Sequence, residues 1–370
     1  MSDNERDYAL KETGNQAEIP APALPYLPVD PPDYRPAIGL IGCGGISEYH
    51  LRSYQRAGYN VVALCNRTES KARLRQQEFY PRADLYTDYR QLLKRDDVEV
   101  VDVTTHPPER VEIMEQAIAA GKHVLSQKPF VTDLDVGKQL VERASRRGVR
   151  LAVNQNGRWA PHFSYLRQAI AAGLIGDVMA VHCSTHWNHD WIADTPFNDL
   201  ANMIFFDFGI HWFDILGCFL GAAQPQSIYA TLTRSPTQHA REPLLGQALV
   251  QYENVQASLI FDGAVSYGPR HRTYVAGTQG TLLSTGPGIT EQSVTLSTEA
   301  GVATPALTGS WFEQGFHGAM AELLSAIAEA REPAHSARDN LRALELCFAA
   351  VASTQRREPV QVGSVRRLLS

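Results

Sequence analysis

The chain has 370 residues, a net charge of -6, 44% hydrophobic residues and 20% charged residues. This length is too great for one ordinary core and predicts two domains of a soluble globular protein. The negative charge gives no reason to expect nucleic acid or an anionic membrane as a partner. No apolar run approaches the roughly 20 residues of a membrane span.

The cysteines and the N-terminus bear on the compartment. The five cysteines are odd in number and far apart, and most lie in apolar runs. They are typical of reduced core residues in an intracellular protein. The first residues are polar and acidic, with no apolar stretch behind them, so no secretory signal is visible. We therefore expect a cytoplasmic protein.

Residues 1–36 form a proline-rich arm that precedes the fold proper. Prolines crowd the stretch from Glu18 to Pro36, and they favour extended polyproline conformations over helix or sheet. The arm is either a disordered tail or an extended segment whose leucines and tyrosines lie across its own body or a partner subunit.

A dinucleotide-binding pattern starts at residue 37. A short apolar strand at 37–41 leads into Gly42, Cys43, Gly44, Gly45 and Ile46, and a helical pattern follows. Glycines there permit a tight turn and let a diphosphate approach the backbone at a helix N-terminus. Alone such a loop is a weak signal, but a second strand, predicted at 60–65, supports it.

The end of that second strand bears on the choice of cofactor. An NAD enzyme usually has an acidic residue there for the adenosine ribose, whereas this chain has Asn66 and Arg67. No carboxylate repels a 2′-phosphate, and Arg67 can pair with one. We therefore favour NADP over NAD. The alternative is that Arg67 is a solvated loop residue and that Asn66 accepts either cofactor.

Strands and helices continue to alternate to about residue 155, which predicts a parallel sheet with its ligands at the carboxyl ends of the strands. Lys128 follows one of those strands, so we expect it to face the cofactor. Further strands are predicted at 98–104, 123–126 and 149–155, with helices at 69–78, 89–95, 109–120 and 134–147.

The second half predicts an α+β domain with a large, mainly antiparallel open sheet. Short β-prone segments at 227–233, 247–252, 256–261, 272–276 and 281–283 follow one another without intervening helices. Helices are predicted at 163–172, 316–330 and 337–356. The predicted divisions are a dinucleotide-binding domain at 37–157, a substrate and oligomerisation domain at 158–340, and a C-terminal helix and tail at 341–370 that pack near the first domain.

A buried helix around residues 205–216 carries two polar side chains. Asp207 and His211 are four residues apart and share one helical face, while their neighbours are apolar nearly all round. A desolvated charge must be paired or put to use. The pair is either a hydrogen-bonded core histidine or part of an active site.

Residues 182–190 contain three histidines, a cysteine and an aspartate, which invites a metal-site interpretation. The preceding residues look like a strand, and residues four apart on a strand are about 13 Å apart, too far to share one zinc ion. We therefore predict no metal. We expect a polar loop whose His186, Trp187, Asn188, His189 or Trp191 lines a pocket for a hydroxylated ring.

Motifs along nine-tenths of the chain resemble those of the Gfo/Idh/MocA oxidoreductase family, which contains glucose-fructose oxidoreductase and inositol dehydrogenase. The matching stretches are the glycine loop at Gly42, the strand end Thr105-His106-Pro107-Pro108, the Gln127-Lys128-Pro129 segment, Asn156-x-Arg158-x-x-Pro161, Asp207-x-x-x-His211, and the turn Gly277-Thr278-Gln279-Gly280.

The resemblance implies a Rossmann domain whose Thr105, His106, Gln127 and Pro129 lie beside the cofactor. It implies a sugar, a sugar derivative or a cyclic polyol as substrate, and homodimers or homotetramers formed through the C-terminal sheet. Two departures stand out. Gln127 replaces a glutamate of the family, and residues 201–204 replace a Gly-Gly pair before Asp207, which we expect to reshape the substrate pocket.

The chemistry that we expect is hydride transfer between a nicotinamide and a secondary alcohol carbon. His211 is the candidate base, Asp207 orients the His211 ring, and Lys128 binds the reacting oxygen. Arg158 either binds substrate or closes the domain interface.

Three alternatives stay open. The first is a redox-neutral, NAD-dependent glycoside hydrolase or lyase. The second is a non-catalytic dinucleotide sensor, although such a sensor would not need Lys128, Asp207 and His211 together. The third is a purely structural protein, which leaves the glycine loop unexplained.

Overall fold

The computed structural model describes residues 16–368. Its first half alternates strand and helix: β1 (Ala37–Ile41), α1 (Gly45–Ala57), β2 (Asn60–Cys65), α2 (Glu69–Phe79), β3 (Asp84–Tyr86), α3 (Tyr89–Leu93), β4 (Val98–Val103), α4 (Pro107–Ala119), β5 (His123–Gln127), α5 (Leu134–Arg147) and β6 (Leu151–Asn154).

These strands form one parallel sheet in the order β3-β2-β1-β4-β5-β6. The order is that of a dinucleotide-binding Rossmann fold, so the fold predicted for this half is confirmed. Local signals set the helix ends. The Asp133 side chain caps the first N–H groups of α5, and Gly148 ends that helix in a left-handed conformation. The carboxyl ends of β1, β4 and β5 meet at one edge of the sheet.

The second half contains α6 (Pro161–Ala171), β7 (Val178–His186), α7 (Ile210–Leu220), β8 (Ser227–Thr233), β9 (Leu245–Gln251), β10 (Gln256–Asp262), β11 (Arg270–Gly277), β12 (Gly280–Gly286), β13 (Ser293–Thr298), β14 (Gly301–Ala303), α8 (Glu313–Ala328), α9 (Ala337–Arg356) and β15 (Val360–Gln361). Short helical turns lie at Asn156–Trp159, Asp190–Asp194, Pro196–Asp199 and Met203–Phe208.

The strands of this half form a second sheet in the order β14-β13-β12-β11-β7-β10-β9-β8-β15. Only β7 and β10 pair in parallel, so the predicted large, mainly antiparallel sheet is confirmed. Its residues alternate between a buried face and an outer face. On β7, for example, Val181, Cys183 and Thr185 are buried, and His182 between them is exposed.

Helix α9 connects the two halves. It packs against β8, α7 and α5, and its first turn is capped by the Ser336 hydroxyl. The tail after it contacts both halves: β15 joins β8, and Leu368 N–H donates to Thr132 O just before α5. This packing holds the two sheets in one arrangement.

The described part of the proline-rich arm lies across its own body. Glu18 bridges to Val302 at the edge of the second sheet, and Tyr165 Oη donates to Pro22 O at 3.1 Å. Further along, His317 Nε2 is 3.0 Å from Asp30, and Tyr34 Oη donates to Glu99 on β4. The described residues of the arm therefore fit the second interpretation, an extended segment that lies across the chain's own body. Residues 1–15, including the polar N-terminus, lie outside the described residues.

Candidate active site

The glycine turn after β1 fits a dinucleotide diphosphate. Gly42 has a φ of +107°, and a Cβ there would lie 2.9 Å from Thr104 Oγ1, so glycine is required. A Cβ at Gly44 or Gly45 would meet open space. Gly44 is the N-cap of α1 and offers no side-chain acceptor to the first N–H groups, which include that of Ile46. The helix N-terminus is therefore open to an anion.

The end of β2 carries the two residues predicted to select the cofactor. Asn66 Oδ1 accepts the N–H of Cys43 at 3.0 Å, so the amide supports the glycine turn. Arg67 is 83% exposed and lies 2.6 Å from Glu109 Oε1, in the first turn of α4. A carboxylate therefore stands near this position after all, contributed by a different element.

Lys128 and Asp207 meet where the two halves of the molecule join. Lys128 Nζ lies 3.1 Å from Asp207 Oδ1 and donates to the Asp207 carbonyl oxygen at 2.8 Å. Lys128 immediately follows β5, whereas Asp207 precedes α7. Two residues 79 positions apart thus form one ion pair at the end of the parallel sheet.

Arg110, on α4, holds the backbone around Lys128. Its guanidinium is fully buried and donates to Thr105 O through Nε at 3.0 Å. Through Nη1 it also donates to Gln127 O and Pro129 O, the carbonyls on either side of Lys128. Burial lowers the Arg110 pKa to about 9, although the negative charge of Asp207 acts to raise it. Beside this clamp, Thr105 Oγ1 is buried without a partner among residues 16–368.

Gln127 belongs to a buried network behind Lys128. Its Oε1 accepts the Lys128 N–H at 2.7 Å, so its Nε2 donates to His50 Nε2 at 3.0 Å. His50 Nδ1 then donates to Asp102 at 2.7 Å, as does Tyr54 Oη. Each end of the amide makes one hydrogen bond within the protein and keeps capacity for a second, so the expected role of Gln127 beside the cofactor stays a prediction. Through its hydrogen bond to the Lys128 N–H, Gln127 also helps to position Lys128.

The structure does not form the predicted helical pair of Asp207 and His211. Residues Met203–Phe208 form a π-helical turn, and α7 starts only at Ile210. The wide turn is closed by Gly209, whose N–H donates to Ile204 O at 2.7 Å. A Cβ at Gly209 would lie 2.6 Å from that oxygen, so only glycine fits. Asp207 turns to Lys128 and does not orient His211.

His211 makes no hydrogen bond with Asp207, but the charge of Lys128 affects its pKa. The imidazole is 8% exposed and makes an edge contact with Trp311 at 5.5 Å between ring centroids. Burial, together with the positive charge of Lys128, holds the His211 pKa well below 6.5. Its Nδ1 is buried without a hydrogen-bond partner in the described part of the chain. The ring is therefore neutral at pH 7.

Arg158 does not face the ion pair of Lys128 and Asp207. Its guanidinium donates to both oxygens of Asp214 at 2.6 Å, to Asp339 at 2.7 Å and to Ala334 O at 2.6 Å. It borders a cavity of about 350 Å³ on the Asp214 side of α7, which Lys128, Asp207 and His211 do not line. Of the two roles expected for Arg158, the structure supports the closing of the interface with α9.

Two further residues expected in the substrate pocket have other partners. Strand β7 continues through His186, whose Nδ1 lies 2.7 Å from Asp262 on β10. His186 alternates with the buried Thr185 and so lies on the outer face of the sheet. Asn188 is exposed, and its Oδ1 accepts the Asp190 N–H at 2.9 Å, which shapes a turn. The polar loop therefore begins later than expected.

Trp187 does enter the junction. Its indole stacks on Phe208 with ring centroids 4.1 Å apart, and its Nε1 donates to His189 Nδ1 at 2.9 Å. His189 lies against the same Phe208 ring at 5.1 Å. Trp191 is 56% exposed and contacts Phe197, which reaches His106 at the end of β4. These aromatic rings bridge the two halves beside the ion pair.

Sequence reasoning missed the groups that hold this site in place. Asp102 gave a signal, since it is one of two carboxylates in the strand at 98–103 and apolar residues flank it. Arg110 and His50 lie on amphipathic helices, where a polar residue usually faces solvent. Nothing local marks them as buried. Gln155 was also missed, although both of its amide atoms are buried without partners among residues 16–368.

Metal ligation and membrane insertion find no support in the described residues. Between residues 16 and 368, no group of three or more His, Cys, Asp and Glu side chains is placed to hold a metal ion. Over the same range, no helix has both the length and the apolar character needed to cross a bilayer.

Two family models match this chain, one in each half of the fold. Residues 37–155 match the family described as "Oxidoreductase family, NAD-binding Rossmann fold". Residues 163–283 match the family described as "GFO/IDH/MocA C-terminal domain".

Curated relatives include an inositol 2-dehydrogenase from Burkholderia multivorans, 32% identical over 213 residues. That match covers 56% of this chain and 61% of the relative, so it leaves more than a third of the relative unmatched. A D-apiose dehydrogenase from Paraburkholderia graminis is 27% identical over 347 residues, which cover 88% of this chain and 89% of the relative.

Solved structures share the fold. An oxidoreductase from Agrobacterium radiobacter, in complex with NAD+, L-tartaric acid and magnesium, has a TM-score of 0.80 at 21% identity and covers 89% of this chain and 99% of its own. A scyllo-inositol dehydrogenase from Lactobacillus casei, with bound NAD(H) and scyllo-inositol, has a TM-score of 0.76 at 21% identity, with coverages of 89% and 100%. On the two family matches and the shared fold, the chain belongs to the Gfo/Idh/MocA oxidoreductase family.

Proposed function

We propose that this chain is an NAD(P)-dependent oxidoreductase that interconverts a secondary alcohol and a ketone on a sugar, a sugar derivative or a cyclic polyol. The observation that supports this best is the 3.1 Å contact between Lys128 and Asp207 beside the neutral imidazole of His211. A cation and a proton acceptor at the end of a Rossmann sheet are what a CH–OH oxidation requires.

The cofactor is held at the carboxyl edge of the parallel sheet. When bound, a nicotinamide accepts or donates the hydride. The open glycine turn and the unpartnered Thr105 Oγ1 supply donors for such a group. The residues that we assign to cofactor binding are Gly42, Gly44, Gly45, Ile46, Asn66, Arg67, Thr105, His106, Gln127, Lys128 and Pro129.

The chain's own residues handle the proton and the oxygen. His211 takes the proton of the substrate hydroxyl, since a neutral imidazole is the form that accepts one. Lys128 donates a hydrogen bond to the same oxygen and stabilises the negative charge that develops there. Asp207 holds Lys128 through its carboxylate and its carbonyl oxygen.

NADP is the cofactor that we favour. No carboxylate immediately follows β2, and the exposed Arg67 can pair with a 2′-phosphate. Glu109 occupies the Arg67 guanidinium at 2.6 Å, so NADP binding includes exchange of that partner. The relatives with bound NAD(H) make NAD the second cofactor to test.

We also propose a cytoplasmic homodimer or homotetramer that pairs through the outer face of the second sheet. Tyr229 and Leu249, which are cross-strand partners, are 40% and 61% exposed on that face. Exposed apolar residues clustered on one sheet face are typical of an interface. Analytical ultracentrifugation of wild type and Leu249→Asp tests this, with a monomer expected for the variant only.

The central experiment measures binding and turnover together. Tryptophan fluorescence is titrated with NADPH and NADH in parallel, and reduction of each oxidised cofactor is followed with myo-inositol, scyllo-inositol, D-apiose and levoglucosan. We expect NADPH to bind more tightly and at least one polyol to reduce the cofactor. If neither cofactor binds, the proposed function fails. If NADH binds more tightly, only the cofactor preference is wrong.

A further inference from the structure

His189 has a fixed tautomer. The Trp187 indole N–H is a donor and cannot accept, and it lies 2.9 Å from His189 Nδ1. His189 Nδ1 must therefore be the acceptor, and the ring proton must be on Nε2. Among residues 16–368 the His189 ring makes no other hydrogen bond, and its Nε2 is not one of the fully buried unpaired atoms. This nearly buried residue therefore has one free donor that a ligand can reach.

The imidazole is also uncharged. His189 is 7% exposed, and burial lowers its pKa to about 4, while Asp207 raises it and Lys128 lowers it by smaller amounts. At pH 7 the ring is a neutral donor and not a cation. A neutral N–H can bind a hydroxyl oxygen and adds no positive charge to the site.

The position of His189 is set by backbone and ring contacts. Its N–H donates to Gly263 O at 2.7 Å, and its ring packs against Phe208 at 5.1 Å. Trp187 stacks on the same Phe208 ring, and Phe208 directly follows Asp207. The ring is thus fixed in the wall beside the ion pair of Lys128 and Asp207.

We propose that His189 Nε2–H donates a hydrogen bond to a second hydroxyl group of the substrate, distinct from the hydroxyl that Lys128 and His211 engage. The inference rests on the proposed function and narrows its substrate class to polyols with at least two hydroxyls on one ring. Simple secondary alcohols have no second hydroxyl for this donor, so they bind with one hydrogen bond fewer. His189 is a specificity residue and takes no part in proton transfer.

The test compares His189→Ala, His189→Gln and Trp187→Phe with wild type, using the polyol of the panel with the highest kcat/KM and its monodeoxy analogues. The Ala variant removes the donor, and we expect KM to rise about tenfold or more while kcat changes little. Glutamine retains an N–H₂ donor and should recover part of this loss. Phenylalanine at 187 removes only the tautomer lock and should raise KM by a smaller factor.

His271→Gln is the matched control. His271 is another nearly buried histidine, 8% exposed, whose pKa is also lowered to about 4 by burial. Its replacement should lower Tm to a similar extent and leave KM unchanged. Calorimetric binding of the same polyol to the NADH-loaded protein provides a readout apart from turnover.

The analogue series separates a direct contact from a structural effect. With wild type, one monodeoxy analogue should have a kcat/KM about tenfold lower than the parent polyol. With His189→Ala, the same analogue and the parent polyol should have nearly equal kcat/KM. Equal losses in both proteins for every analogue would overturn the assignment of His189 and leave the proposed function intact. If wild type binds no polyol of the panel, the proposed function fails, and the role of His189 fails with it.

Discussion

The two sides of the domain junction differ in how their polar groups are satisfied. On the Rossmann side, Arg110 donates to three carbonyls around Lys128, and both ends of the Gln127 amide are bonded. On the other side, His211 Nδ1 has no partner in the described residues. The backbone around Lys128 is thus fixed before anything binds, whereas His211 Nδ1 and, on the Rossmann side, Thr105 Oγ1 keep hydrogen-bonding capacity in reserve.

Unpaired buried polar groups are costly, so the contrast between the bonded groups around Lys128 and the unpaired His211 Nδ1 is informative. A cofactor of constant shape can be met by a rigid surface, since preorganised donors cost no rearrangement on binding. A substrate must be recognised through groups that water or protein would otherwise satisfy. The following predictions change one side at a time.

The largest effect is expected for Lys128→Ala, where the two sides meet. Loss of this donor should lower kcat by about 10³-fold or more, because the developing charge on oxygen and the Asp207 carboxylate both lose their cation. Cofactor affinity, measured by fluorescence titration, should change little. Unchanged turnover would remove Lys128 from the mechanism.

His211→Asn alters only the substrate side and should lower kcat by about 10²-fold or more, the usual contribution of a general base. Stopped-flow measurement of cofactor reduction checks this. Because the site around His211 is built without a charged partner for its ring, folding should be little affected.

The pH profile gives a second test of the same base. The His211 pKa lies well below 6.5, so the proton-accepting form persists as pH falls through 6.5. The kcat/KM of wild type should therefore show no break near pH 6.5, where an unperturbed histidine would lose half its basic form. A break at that pH, absent in His211→Asn, would contradict the lowered pKa.

Arg110→Met alters only the Rossmann side. The carbonyls flanking Lys128 lose their shared donor, and a small displacement of Lys128 should lower kcat by about tenfold to 10²-fold. Lys122→Met is the control, because Lys122 is also a buried cation that binds carbonyls, those of Arg95 and Val98, at the opposite edge of the sheet. We expect both variants to lower Tm. Equal kcat in both would show that Arg110 is only structural.

The smallest effect is expected for Glu109→Gln. Removal of the carboxylate frees Arg67 for a 2′-phosphate and should raise the preference for NADPH over NADH by up to about fivefold, the size of an exposed ion pair. Arg67→Gln should shift the ratio the other way. If neither variant changes the ratio of the two dissociation constants, the end of β2 does not select the cofactor.

Much of the fold was predictable because its signals are local. The glycine turn, the apolar strands and the capping residues around α5 each depend on neighbours within a few positions. The predicted helix at 205–216 was partly wrong for the same reason. Its apolar pattern indicates burial, but the π-helical turn depends on the close approach of Gly209 to Ile204 O.

The candidate site was less predictable. Lys128, Asp207 and Trp187 were identified and do meet at the junction, whereas Arg158, His186 and Asn188 bind structural partners. His186 lies outside the site because β7 continues through this residue. Side chains alternate between the two faces of a strand, so His186 is on the outer face. His189, one of several loop candidates, became specific only through its contact with Trp187.

By itself, the sequence determined the two-part architecture, the open glycine turn and the placement of Lys128 at a strand end, because periodicity and turn chemistry act between near neighbours. Only the tertiary structure decided the partners of the polar groups: Asp207 with Lys128, Arg158 with Asp214, Arg67 with Glu109, and Trp187 with His189. Partner choice depends on which elements pack together, since a buried polar group bonds with whatever the fold brings within 3 Å or so.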